Sequence, residues 1–408
     1  MEINPLRNTM KAVPSLSPSR MCASLVAICM AGWSSGASAQ NRPNDIVMDD
    51  SGLQIETSAN AVYDSNIYRT DSKKVAPVDD FILSPTIEAR YNRDISRNML
   101  SVSLLGGYDF FVSQTTRSKP RVAAKLYGTV AVSKLCQIEP ELSYRRERAD
   151  YGDLNQAAEN LQQFSRIGAI ASCPRDAGFY PEIGYLRTTT KNDTLFNYAD
   201  QRTNSFSGAV GYARPSLGSV KLFYSHDNVY RPNLNFTNKV DFVGVVFERA
   251  VSPLFYIKAD VRGIRLRSSS GAVGNYNGVG WNVIATTRAI PRLSFSLATE
   301  RKVQNDSLIS SGFAIEARYT AIARVAVSAL TSVEATVELR HRDFHQDQSR
   351  VGIQIDSDNN YFGGITARRK LTNRFELSVE ASRYQRRTNN QLADFNATRL
   401  LLGAKARF

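Results

Sequence analysis

Polar and apolar residues alternate along this chain with a period of two. In "DFILSPTIEARY" Phe81, Leu83, Pro85, Ile87, Ala89 and Tyr91 share one face, while Ser84, Thr86, Glu88 and Arg90 share the other. In "MLSVSLLGGYDFF" the apolar face is Leu100, Val102, Leu104, Gly106, Tyr108 and Phe110. "VEATVELRHR" sets Val333, Ala335, Val337 and Leu339 against Glu334, Thr336, Glu338 and Arg340. Strict alternation predicts half-buried β-strands. The runs reach about 10–14 residues, against about 5–6 in an ordinary strand. A tilted strand crossing a bilayer needs about 9–11 residues.

Short turns are expected near residues 94, 134, 175, 216, 252, 291, 331 and 373. Each joins two long strands. With one strand before them (about Leu53 to Tyr63) and one after (about Ala397 to Phe408), the count is about eighteen. The remaining connections are longer and polar, for example "RTDSKKVAPVD" and "FHQDQSRVGIQIDSDNN". Short turns at one end and long loops at the other are the asymmetry of an outer-membrane barrel. Closure is required there, because an open sheet edge in lipid leaves backbone groups unpaired. The expected fold is therefore all-β, a transmembrane antiparallel barrel over residues 53–408. The stretch from Phe313 to Leu330 is the one most able to hide a bulge or a misplaced turn.

The N-terminus changes the picture given by bulk composition. Mean hydropathy is −0.30 over 408 residues, a soluble-looking value. Yet Arg7, Lys11 and Arg20 precede the apolar "MCASLVAICMAGW", and "SSGASAQ" follows it. That order describes a secretory signal peptide over residues 1–39, leaving a periplasmic segment at 40–52. Its loss would remove three basic residues and one acid, lowering the formal charge of +13 by two. Cys22 and Cys29 would leave with it. Cys136 and Cys173 remain, at the same barrel end on neighbouring strands, and a cross-strand disulfide is expected in an oxidising compartment.

Parity places a set of charges on the inner face. Arg121, Lys125, Arg145, Lys258, Arg262, Arg288, Arg318, Arg340 and Arg399 are the candidate pore-lining cations. An Arg or Lys facing lipid at mid-depth would cost about 2–4 kcal/mol, so these must face water or one another. They serve either as rings of charge that set selectivity or as a ladder of mutually neutralising Arg and Glu.

Catalytic patterns are weak. The chain has three histidines, His226, His341 and His345. The two in "HRDFH" lie about 13 Å apart on a strand, and Ser225 and Asp227 point away from His226. No catalytic residue, metal or cofactor is expected, nor is a nucleic-acid partner.

"AVYDSNIYRTDS" followed by "VDDFILSPTIEARYN" resembles the outer-membrane beta-barrel porin 2 family. In that resemblance Tyr63, Asp64, Asn66 and Asp80 occupy the motif positions that end the first strand and begin the second. It implies an eighteen-stranded barrel associated with surface polysaccharide export, working with periplasmic export proteins. Residue chemistry alone suits Asp64 and Asn66 to organising a loop. The expectation is thus an outer-membrane channel for exopolysaccharide, with a general diffusion porin for small anions as the alternative. Its surroundings would be outer-membrane lipid and lipopolysaccharide. In "LLLGAKARF" the apolar alternation runs to Phe408, an ending that resembles the signal read by the barrel assembly machinery.

Overall fold

The computed structural model describes residues 52–71, 75–148, 160–271, 273–305, 312–345, 355–389 and 393–408. The expected signal peptide and residues 40–51 lie outside these.

Eighteen strands form one closed antiparallel sheet. They are β1 (Gly52–Asp64), β2 (Asp80–Ile95), β3 (Asn98–Phe111), β4 (Lys119–Ala131), β5 (Gln137–Arg148) and β6 (Leu161–Ser172). Next come β7 (Gly178–Lys191), β8 (Gln201–Arg214), β9 (Gly218–Arg231), β10 (Phe236–Ser252), β11 (Phe255–Ser268) and β12 (Tyr276–Ile290). The last six are β13 (Leu293–Gln304), β14 (Phe313–Ala326), β15 (Thr331–His345), β16 (Ser357–Lys370), β17 (Phe375–Thr388) and β18 (Phe395–Arg407).

Each strand pairs with its neighbours in sequence, and β1 pairs with β18 from Glu56↔Arg407 to Asp64↔Arg399. Closure leaves no edge in the bilayer. The eight connections at one end have two to five residues, and those at the other have four to fifteen. All eight short turns fall where the alternation pauses. The stretch after Phe313 is one uninterrupted strand in register with both neighbours.

Alternation sets the two faces. Phe81, Leu83 and Ile87 are exposed outward, as are Leu400 and Leu402 on the closing strand. Their companions Ser84, Thr86 and Glu88 point inward. The bilayer takes the place that a core takes in a soluble protein.

The lumen is not uniformly polar. At the long-loop end, inward-facing Val62, Ile82 and Phe111 pack with Ile67, Tyr68 and Val78 of the β1–β2 loop. Val240, Phe242, Ile264 and Leu266 gather with Val273 of the β11–β12 loop and with Phe313 and Ile315. Ala314 and Phe344 meet Ile355 and Ala393 from two further loops. These described loop residues therefore pack against the wall and bury small apolar clusters at the mouth of the bore.

Candidate functional site: the lumen wall

The Tyr63–Asp80 motif builds the outer mouth. Asp64 is buried and takes a paired contact from Arg69, 2.8 Å to each oxygen. The Arg399 guanidinium lies 3.6 Å away on the closing strand. The Asn66 N–H donates to the Asp64 carboxylate at 3.0 Å, an Asx turn closed by its own side chain. Asn66 itself is fully buried. Its Nδ2 donates to the carbonyls of Thr70 (2.8 Å) and Asn396 (3.0 Å), and its Oδ1 accepts from the Thr70 N–H at 3.0 Å.

Arg69 sits at φ 54°, in the left-handed region, held by Asp64 and by a bond from its guanidinium to the Asn66 carbonyl. Asp80 accepts backbone N–H bonds from Ser113 (2.9 Å) and Gln114 (2.8 Å), tying the first loop to the next. Tyr63 faces outward, with its ring 5.2 Å from Phe81 and its hydroxyl donating to Asp79 at 3.1 Å. These four residues organise a loop; they do not line an open path.

On β14–β16 two acids, Glu316 and Glu334, stand behind their bases. Glu316 is 1 % exposed, whereas Arg318, 2.8 Å from it, is 28 % exposed. Arg340 and Lys302 also approach Glu316, at 3.9 and 3.8 Å. Glu334 is 3 % exposed beneath Arg324, 36 % exposed and 2.7 Å away, with Arg368 at 3.8 Å. Asp358 is wholly buried between Arg342 (3.0 Å to Nε) and Arg386 (2.8 Å). Glu338 is the less recessed member of this wall, 3.9 Å from Arg318.

The opposite wall has the reverse order. Glu141 is 27 % exposed, and its partner Arg166, 3.4 Å away, only 6 %. Asp260 lies in front of Arg262 (2.6 Å), which tucks under the rings of Phe223 and Phe242. Lys258 pairs with Glu248 at 3.3 Å, again with the base deeper. Lys221 and Glu182, 2.9 Å apart, run the other way. Nine strands separate β8, near the middle of this wall, from β17, at the edge of the first, so the two face each other across the bore.

Eight of the nine candidate cations lie on the inner face. Arg121 is 3.6 Å from Asp109, and Arg145 is 2.9 Å from Glu147 with its guanidinium over Phe164. Lys125 stands exposed over the Tyr127 ring and has no ion-pair partner among the described residues. Arg288 differs. The β12–β13 register shifts between Thr287 and Ile290, which carries Arg288 out of the ladder to an exposed position at the short-turn rim. Its N–H donates to the Leu254 carbonyl at 2.8 Å.

The most buried arginines, Arg231, Arg342 and Arg386, were not among the candidates. Inward parity alone marks them, two residues or more beyond the last polar pair chosen on each strand. Cys136 and Cys173 are joined by a disulfide, one residue outside β5 and β6, and staple two short turns. His226 faces outward and bonds Asp241 at 2.8 Å, while Ser225 and Asp227 face the lumen. His341 bonds Asn359 at 2.9 Å, and the His345 ring stacks on Phe313 at 4.6 Å.

With an outward apolar band, inward charge and full closure in place, one assignment follows. The protein is an outer-membrane β-barrel. Among solved structures it is similar to a BenF-like porin from Pseudomonas fluorescens Pf-5, with a TM-score of 0.50 and 10% identity over 87% of this chain and 99% of that one. OccK2 (OpdF) from Pseudomonas aeruginosa in complex with glucuronate aligns with a TM-score of 0.48 at 12% identity, over 88% and 97%. At such identities the likeness concerns the fold alone. No protein-family model and no curated protein matches the chain.

Proposed function

We propose that this barrel is a diffusion channel for small anionic solutes. The observation that carries the reading is the depth order on the β14–β16 wall, where the Glu316 and Glu334 carboxylates sit behind Arg318, Arg324 and Arg368. A solute in the bore meets the nearer charge first, and Coulomb energy falls with distance, at about 1 kcal/mol for two charges 4 Å apart in water. Lys125 adds an exposed cation with no carboxylate beside it. Because each recessed acid still neutralises its neighbours, an anion is attracted without being trapped, as conduction requires. The loop residues packed at the mouth favour small solutes over a polymer, which needs an unobstructed bore.

The test is the reversal potential of the refolded chain in a planar bilayer under a KCl gradient. We expect chloride to be preferred; a cation preference, or no current, overturns the reading. Polysaccharide export, with periplasmic export proteins as partners, is supported by the porin 2 resemblance at Tyr63, Asp64, Asn66 and Asp80. Deleting the gene separates the two, since a diffusion porin leaves secreted polysaccharide unchanged and an export channel abolishes it.

Recognition by the barrel assembly machinery is a further part of this reading. Phe408 is exposed, and its N–H donates to the Ile55 carbonyl at 2.8 Å. Its deletion should lower the amount of assembled barrel and leave the conductance of each assembled channel unchanged; assembly at the normal level removes that role.

A further inference from the structure

The outward surface of β7–β11 carries a second charged feature that the channel reading does not use. One row across the sheet, perpendicular to the strands, runs Arg187↔Asn204↔Asn228↔Lys239↔Arg267. Each shares outward parity with the exposed Ile183 or Val243 on its strand or with a neighbour paired to them. Arg202 lies one row nearer the long loops and Arg265 one row nearer the bilayer centre, beside Asp241. All five bases are exposed.

Asp241 is the acid of this patch, and it is already engaged by Tyr224 and His226 (2.8 Å each) and by Arg267 at 3.3 Å. Five strands at the usual spacing make the patch about 20 Å wide. The outward strand positions at the short-turn end of these same five strands hold two bases, Arg214 and Arg249.

The row directly beneath runs Tyr185↔Phe206↔His226↔Asp241↔Arg265, aromatic on β7–β8 and polar on β9–β11, and the rows below that are largely aliphatic. Tyr185 and Phe206 stack at 4.9 Å; the row below holds Ile183, Tyr224 and Val243, and Val210, Leu222, Val245 and Val261 form the row after it. That lower surface belongs to the band that must lie in hydrocarbon. Whatever covers the basic row is therefore continuous with acyl chains below it and anionic above. A soluble protein partner meets only the upper half of that requirement.

We propose that this face binds a phosphate-bearing lipid of the outer leaflet. Its phosphates lie on Arg187, Arg202, Lys239 and Arg267, and its acyl chains lie against the aliphatic rows further down. Guanidinium groups suit phosphate because they donate two parallel charge-assisted hydrogen bonds. Bases at a membrane surface also add attraction to anionic headgroups roughly one by one.

The experiment uses the full chain refolded in phosphatidylcholine bicelles, with diphosphoryl lipid A as the probe and its dephosphorylated form beside it. Binding of the diphosphoryl form should be at least about ten-fold tighter. The variant R187Q/R202Q/K239Q/R267Q should lose that preference with its single-channel conductance and ion selectivity unchanged. R383Q/R387Q, outward bases on another part of the wall, should keep wild-type affinity.

Equal binding of the two lipid forms overturns the proposal. So does retained affinity in the four-fold variant, or equal loss in the control. A change of oligomeric state with lipid binding unchanged assigns the face to another copy of the chain and also overturns it. If the four-fold variant does not refold, R187Q and K239Q singly give the same comparison through smaller losses. The readout does not depend on the solute, so it stands or falls separately from anion selectivity.

Discussion

The two halves of the lumen wall are built from the same residue types and behave differently because of depth. On β14–β16, Glu316 and Glu334 are recessed and Arg318, Arg324 and Arg368 stand over them, while Asp358 is buried together with its partners Arg342 and Arg386. On the other side, Glu141 and Asp260 are in front, with Arg166 and Arg262 behind. What a passing ion feels depends on which member of each pair is nearer, and a count of charges along the strands does not report that depth.

The largest effect should come from removing a recessed acid. Asp358→Ala leaves Arg342 and Arg386 buried without their carboxylate, and breaking a buried pair in this way costs about 3–5 kcal/mol. Urea unfolding followed by gel mobility should show a clearly lower midpoint, with Glu141→Ala on the opposite wall shifting it far less. Equal shifts would erase the distinction between the walls.

Selectivity should respond next. Neutralising the front layer with R318Q/R324Q/R368Q should lower the chloride-to-potassium permeability ratio by about five-fold, taking about 1 kcal/mol for a charge near the ion path. K258Q/R262Q, where the bases lie deeper, should change it much less, and the same bilayer recording measures both.

At the mouth, Asn66→Ala unties buried carbonyls of Thr70 and Asn396, a loss of about 1–3 kcal/mol. Its signature should be trypsin cleavage after Arg69 on intact cells, at a bond that resists in the wild type. Lys125→Gln should give the smallest change, a reversal-potential shift below that of the triple variant. A larger one would locate the selective region at β4 instead.

Much of this was legible in the alternation. A period of two fixes which residues face lipid, and pauses in it mark the short turns, because a strand with one buried face tolerates no slip. Arg288 shows where that logic ends: a single shift of register at Thr287 moves a residue off the lumen without any mark in the sequence. Parity also reports the face and never the depth, so Glu316 and Glu141 look alike until their neighbours are placed. The packing of loop residues at the mouth was hidden for a related reason. Ile67, Val273 and Ile355 lie in short, largely polar connections, and their partners are distant in the chain.

The bond from Asn66 to the Asn396 carbonyl spans 330 positions. Hairpins between successive strands form from nearby residues and need little loop closure, whereas this contact joins the first loop to the last strand. It cannot exist until β18 has docked on β1. During assembly, burial of Asn66 and protection of Arg69 would therefore mark the moment of closure, giving a clock readable by pulse proteolysis in the outermost loop.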